Sequence, residues 1–127
     1  MPGPVHVTRA ASLATSGGQT TGMIRQAAIT DLSDSICASV MIAKPRTASA
    51  VHHHGKQDTV VFARSGHGTI VSDAGSTRQR LDPGDFALIP AYAEHQEVND
   101  TDDDVVWIIS RSGREADVVN LEGWGKS

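Results

Sequence analysis

The 127-residue chain has one cysteine, few aromatic residues (4%) and no apolar run long enough to cross a bilayer. The lone Cys37 excludes an internal disulfide. Its setting, Ile36-Cys37-Ala38-Ser39-Val40-Met41-Ile42, marks it as a buried thiol. Eleven basic residues face fifteen acidic ones, for a net charge of −4. The basic residues come singly or as loose pairs such as Arg78 and Arg80. With no basic face to neutralise phosphates, nucleic acid is excluded as a partner. The segment from Met1 to Gly18 lacks the basic start and apolar core of a secretory signal, so the expectation is a soluble, cytoplasmic protein. Nucleophile elbow, phosphate-binding glycine loop and CxxC pair are all missing. The run Asp102-Asp103-Asp104 lacks the alternating oxygen ligands, central glycine and distal glutamate of a calcium loop and reads as a solvated turn.

What the chain does have is a series of short segments rich in β-branched residues, separated by turn formers. The expected strands are Met23–Ile29, Ile36–Ala43, Ala48–His54, Thr59–Arg64, Gly68–Val71, Thr77–Leu81, Asp85–Pro90, His95–Asn99 and Val105–Ser110. Between them stand Lys44-Pro45, Ser65-Gly66, Asp73-Ala74-Gly75-Ser76, Pro83-Gly84-Asp85 and the acidic run Asn99–Asp104, which supply Gly, Pro, Asn and Asp where turns need them. Only residues 9–16 suggest a brief helical turn. Strands at this spacing predict an antiparallel sandwich or closed barrel. Val105–Ile109, apolar on both faces, belongs near the centre of a sheet. The length and the lack of an internal repeat or linker predict one domain over 1–127, with its barrel core at about 23–110 and both ends packing on it.

The histidines carry the chemistry. Alternation along a strand puts His52 and His54 on one face, about 7 Å apart along the chain, with His53 on the other. His95 is the best-placed third ligand. Three neutral imidazoles suit one divalent transition metal (Zn, Fe, Mn, Ni or Cu) and leave positions open for water or substrate. Glu97 shares the face of His95 and is the candidate acid/base; burial in an apolar cavity would raise its pKa. Asn99 is expected to pin a turn, His67 to face solvent, and Trp107 to pack in the core.

These residues resemble the two short motifs of the cupin superfamily. The first reads HxH, three or four residues, Glu, six residues, Gly. Here it is His52-His53-His54, four residues, Thr59, six residues, Gly66. The second reads Gly, five residues, Pro-x-Gly, two residues, His, three residues, Asn. Here it is Gly84, Pro90-Ala91-Tyr92, His95 and Asn99, at the same spacings. The resemblance spans roughly residues 47–99. It implies an all-β cupin fold, a double-stranded β-helix or jelly-roll barrel, with the metal on His52, His54 and His95 and a small molecule in the barrel. It also implies a homodimer, for which the tail with Trp124 offers a contact surface.

Two positions depart from the pattern. Tyr92 stands at a turn glycine, and Thr59 stands where the family's metal-binding glutamate belongs. The missing carboxylate could come from Asp58 through a register slip, from Glu97, or from neither, with water filling the shell. The last needs no special geometry and is the preferred arrangement. Dioxygenase, isomerase and decarboxylase chemistry are all compatible with the resemblance, and few aromatics argue for a small substrate rather than a large flavonoid. A non-catalytic metal- or metabolite-binding module is the alternative.

Overall fold

In the computed structural model, which describes residues 3–17 and 22–126, alternation decides which side chains enter the core. Residues 1–2 and 127, the ends of the domain expected over 1–127, lie outside the described residues. Among the described residues twelve strands follow in order: β1 (Ala14–Gly17), β2 (Met23–Ile29), β3 (Ile36–Ala43), β4 (Thr47–Ala48), β5 (His52–His53) and β6 (Thr59–Ser65). Then come β7 (Gly68–Ser72), β8 (Thr77–Leu81), β9 (Phe86–Ile89), β10 (Gln96–Asn99), β11 (Val105–Ser112) and β12 (Val119–Asn120). They form a six-stranded sheet in the order β1-β2-β3-β11-β6-β9, a four-stranded sheet β4-β10-β7-β8, and a small pair β12-β5. Every named pairing is antiparallel. The all-β jelly-roll barrel is the fold the sequence implied.

β11 lies between β3 and β6, as its doubly apolar sequence requires. Its inward residues Val105, Trp107 and Ile109 join Met23, Met41, Val61, Ala63, Ile70, Leu81 and Ile89 in one core. Burying such side chains contributes roughly 1.5–3 kcal/mol each. The Trp107 ring fits because Gly68 carries no side chain; a Cβ there would stand 2.6 Å from Trp107 Cζ2. Cys37 is buried and unpaired, and Asn99 pins its turn by donating to the Ala43, Lys44 and Asp103 carbonyls. His67 is exposed and paired with Asp82.

Two expectations need correction. The strand expected over Ala48–His54 is split into β4 and β5, because Ser49 turns inward. Its backbone N–H donates to the Glu97 carbonyl and its Oγ accepts from the Glu97 N–H. Next, the helical turn near 9–16 shrinks to a 3₁₀ turn at Ala10–Ser12, followed by β1 pairing with β2. Outside the expected barrel core at about 23–110, strand pairing continues at both ends, through β1 and through β12. The tail continues back over the barrel, with Leu121 N–H donating to the Val51 carbonyl and Gly125 N–H to Glu94 Oε1. No helix among the described residues is long and apolar enough to cross a membrane.

Candidate metal centre

His52 is held from both sides. β5 pairs with β12 on one edge, and on the other His52 and His95 exchange backbone hydrogen bonds of 3.0 and 2.9 Å. That bridge brings the two motifs together across the barrel. His54 follows on the face of His52, while His53 turns away to Tyr92, with ring centroids 5.8 Å apart. The His52 ring centroid lies 5.3 Å from that of His54 and 4.3 Å from that of His95, and His54 and His95 are 4.7 Å apart. All three histidines are at most 2% exposed. Alternation along β10 carries His95, Glu97 and Asn99 into the interior on one face. One ligand atom from each of His52, His54, His95 and Glu97 lies within 4.8 Å of the others, a group able to hold a metal ion.

The outer ring nitrogens fix how this group can be used. His52 Nδ1 lies 2.8 Å from the Ala50 carbonyl and His95 Nδ1 2.9 Å from the Ala93 carbonyl. A carbonyl only accepts, so both Nδ1 atoms carry hydrogen, and in the neutral rings both Nε2 atoms carry lone pairs. His54 Nδ1 is likewise occupied, 2.8 Å from Thr59 Oγ1. None of the three buried Nε2 atoms has a hydrogen-bond partner among the described residues. Facing them is the Glu97 carboxylate, with Oε2 3.1 Å from His52 Nε2 and Oε1 3.8 Å from His95 Nε2. Acceptors brought this close repel unless a proton or a cation sits among them. The residues present therefore fit a divalent metal. The Nδ1 hydrogen bonds are the outer-shell contacts that aim imidazoles at such an ion.

Electrostatics point the same way. Burial pushes the Glu97 carboxyl up, but attraction to His52 and His95 outweighs it and holds the group well below the usual carboxylate range. The raised pKa expected from an apolar cavity is thus reversed, because the cavity wall is imidazole. Burial lowers His52, yet Glu97 overrides that and leaves it raised. His54 is driven down to about 2 by burial, with Arg111 and His95 adding to the effect. One site thus contains both a proton-accepting and a proton-refusing imidazole.

The alternatives for the missing carboxylate separate cleanly. Asp58 is exposed, and its Oδ1 accepts from the Ala91 N–H instead of turning inward. Thr59 supports the His54 ring. Glu97 is the carboxylate that reaches the three histidines. Ser49, which the sequence did not single out, donates from Oγ to Glu97 Oε2 at 2.9 Å and orients it. Tyr92 adopts φ 63°, the left-handed conformation that explains a glycine in the motif, and its N–H donates to the Gly55 carbonyl at 2.8 Å. A cavity of about 740 Å³ opens beside His95, lined also by Arg80, Leu81, Glu94 and Trp124.

Comparison with known proteins agrees with this fold. The family model described as "Cupin domain" matches residues 39–110, more than half of the chain. Gentisate 1,2 dioxygenase 1 from Aquipseudomonas alcaligenes is 29% identical over 101 residues. The match takes in 75% of this chain but only 28% of the enzyme, so the chain spans little more than a quarter of that relative. The polyketide cyclase RemF from Streptomyces resistomycificus superposes with a TM-score of 0.76 at 15% identity, over 99% of this chain and 89% of that one. KdgF from Halomonas sp. gives 0.75 at 18% identity, over 88% of this chain and 96% of that one. At these identities the two structures speak to the fold alone. Matched by the family model over both histidine motifs and folded as they require, the chain belongs to the cupin domain family.

Proposed function

We propose that this protein is a metal-dependent enzyme acting on a small organic molecule inside the barrel. His52, His54, His95 and Glu97 would hold one divalent transition metal (Zn, Fe, Mn, Ni or Cu). The observation that carries the reading is the convergence of three orphaned Nε2 lone pairs on one buried carboxylate. A metal bound there supplies Lewis acidity or, if redox-active, electron-transfer chemistry. The chain's own part is to keep the Nδ1 protons outward, orient Glu97 through Ser49, and exclude bulk water from the ligand atoms. A barrel of this size encloses one small ligand. The partial likeness to gentisate 1,2 dioxygenase 1 favours dioxygenase chemistry, with isomerase chemistry the next candidate. The buried, unpaired Cys37 suits a reducing compartment such as the cytoplasm.

A non-catalytic metal- or metabolite-binding module is the second reading. It is favoured by the commitment of Glu97 to His52 and His95, which leaves no free buried acid among the four residues. Reconstitution with each metal, followed by dioxygen-uptake and isomerase assays on small organic acids, separates the two. Turnover that is lost with the metal supports the enzyme, and stoichiometric metal without turnover on any substrate supports the module.

The partner we assign is a second copy of the chain. Val60 and Leu88 are cross-strand partners, as are Phe62 and Phe86, whose rings lie 4.8 Å apart. Val60, Phe86 and Leu88 are all exposed. They make an apolar patch on the outer face of the six-stranded sheet. Trp124, the contact expected from the sequence, lines the large cavity.

A further inference from the structure

The inward row of β11 does not end on an apolar residue. After Val105, Trp107 and Ile109 comes Arg111, only 3% exposed. Its Nη1 donates to the Asp117 carbonyl at 3.1 Å. Among the described residues its Nε and Nη2 have no hydrogen-bond partner, and no carboxylate lies within ion-pair distance of it. A buried guanidinium with two idle donors is costly unless something accepts from them. Burial draws its pKa down to about 10, so it stays charged at neutral pH.

The two idle donors are the side-on pair of the guanidinium, the parallel N–H edge that matches the two oxygens of a carboxylate. Beside them lies a cavity of about 40 Å³ lined by Arg111, Arg25, Cys37, Ser39 and Ile109, with no acidic residue in its wall. That is room for roughly three water-sized groups, about the bulk of a carboxylate. None of the four clustered residues lines this cavity; the link to them runs through Arg111, whose charge acts on His52 and His54. Arg111 pairs across β11 and β6 with Thr59, and Thr59 Oγ1 is 2.8 Å from His54 Nδ1.

We infer that Arg111, with Arg25 on the same wall, binds a carboxylate of the substrate, which makes this a site for small organic acids. The catalytic consequence rests on the metal-dependent reading above; the carboxylate site itself does not. Formate and its neutral counterpart formamide are the probes. In ¹⁵N-labelled protein, formate shifts the Arg111 Nε–H resonance saturably, in both metal-loaded and chelator-treated samples, whereas formamide and chloride at matched ionic strength leave it in place. Arg111→Gln weakens the formate-induced rise in Tm at least tenfold. Should that variant fail to fold, the wild-type resonance titration decides alone. An unmoved resonance, or equal shifts with chloride or formamide, overturns the assignment and leaves a water-filled cavity. Metal content, measured on the same samples, reports on the metal reading separately: no metal together with a formate shift sinks that reading and leaves this one standing.

Discussion

Glu97 Oε2 lies 3.1 Å from His52 Nε2 although His52 gives its Nδ1 proton to the Ala50 carbonyl. Without a metal, the proton that reconciles these two groups resides on His52, whose pKa is raised by Glu97 against the opposing effect of burial. A metal would take the proton's place. Binding is therefore expected to release a proton wherever His52 is charged. Calorimetry in buffers of different ionisation enthalpy measures this, and proton-neutral binding would contradict it.

The same residues set the pH dependence of the metal-free protein. His54 is lowered from its ordinary 6.5 to about 2, so its contribution to stability is complete above 6.5 and is lost as pH falls toward 2. His52 is raised, so its contribution is complete below 6.5 and is lost as pH rises through the raised value. Glu97, held low, adds to the acid loss below its ordinary 4.5. Urea midpoints of chelator-treated protein should therefore peak near pH 6.5. Glu97→Gln should remove the alkaline decline and keep the acid one. A wild-type profile that climbs steadily from neutral into alkaline pH would refute the His52–Glu97 coupling.

Loss of an outer-shell partner costs metal sites about 10- to 100-fold in affinity. Thr59→Val keeps the shape and removes the contact with His54 Nδ1, so it should weaken metal binding by about tenfold. Glu97→Gln, acting on a ligand, should weaken it more. Asp58→Asn, whose side chain meets only the exposed Ala91 N–H, should leave it unchanged. Competition titrations with a chelator rank the three. If Asp58→Asn proves the most damaging, the carboxylate has been assigned to the wrong residue.

Backbone strain gives a test free of any metal. Left-handed geometry at Tyr92 costs about 1–2 kcal/mol, of which a glycine's looser unfolded chain returns about 0.4–1. Tyr92→Gly is thus expected to stabilise by about 0.5–1 kcal/mol in chemical denaturation. Gly66→Ala should do the reverse, since its Cβ would stand 2.4 Å from the Asp104 carbonyl oxygen at φ 78°. A destabilised Tyr92→Gly would mean that the packing of the Tyr92 ring against His53 outweighs the strain.

Stable association needs about 800 Å² buried on each partner. The patch of Val60, Phe62, Phe86 and Leu88 is the apolar ground for it. Light scattering at micromolar concentration should give a dimer for the wild type and a monomer for Phe86→Asp/Leu88→Asp. A wild-type monomer would remove the proposed interface.

Much of this site was readable because strands alternate. The shared face of His52 and His54 and that of His95 and Glu97 follow from a period of two, and the central place of Trp107 from a strand apolar on both faces. Ser49 was not readable, because its inward turn depends on Glu97, a residue 48 positions away that joins it only in the folded barrel. β12 is two residues long and exists only through pairing with His52 and His53. The direction of the Glu97 shift was missed for a related reason. Sequence gives burial, whereas the sign depends on which neighbours share the cavity. Arg111 did leave a signal, a charged residue at the fourth inward position of β11, and alternation alone would have flagged it.

The central claim is that the two histidine motifs share one metal. Elemental analysis of purified, untagged wild type beside His52→Ala and His95→Ala tests it most directly. About one transition metal per chain in the wild type, lost in both variants, is the expected result. A wild type that takes up no metal even after reconstitution, or variants that keep it, would contradict the shared site.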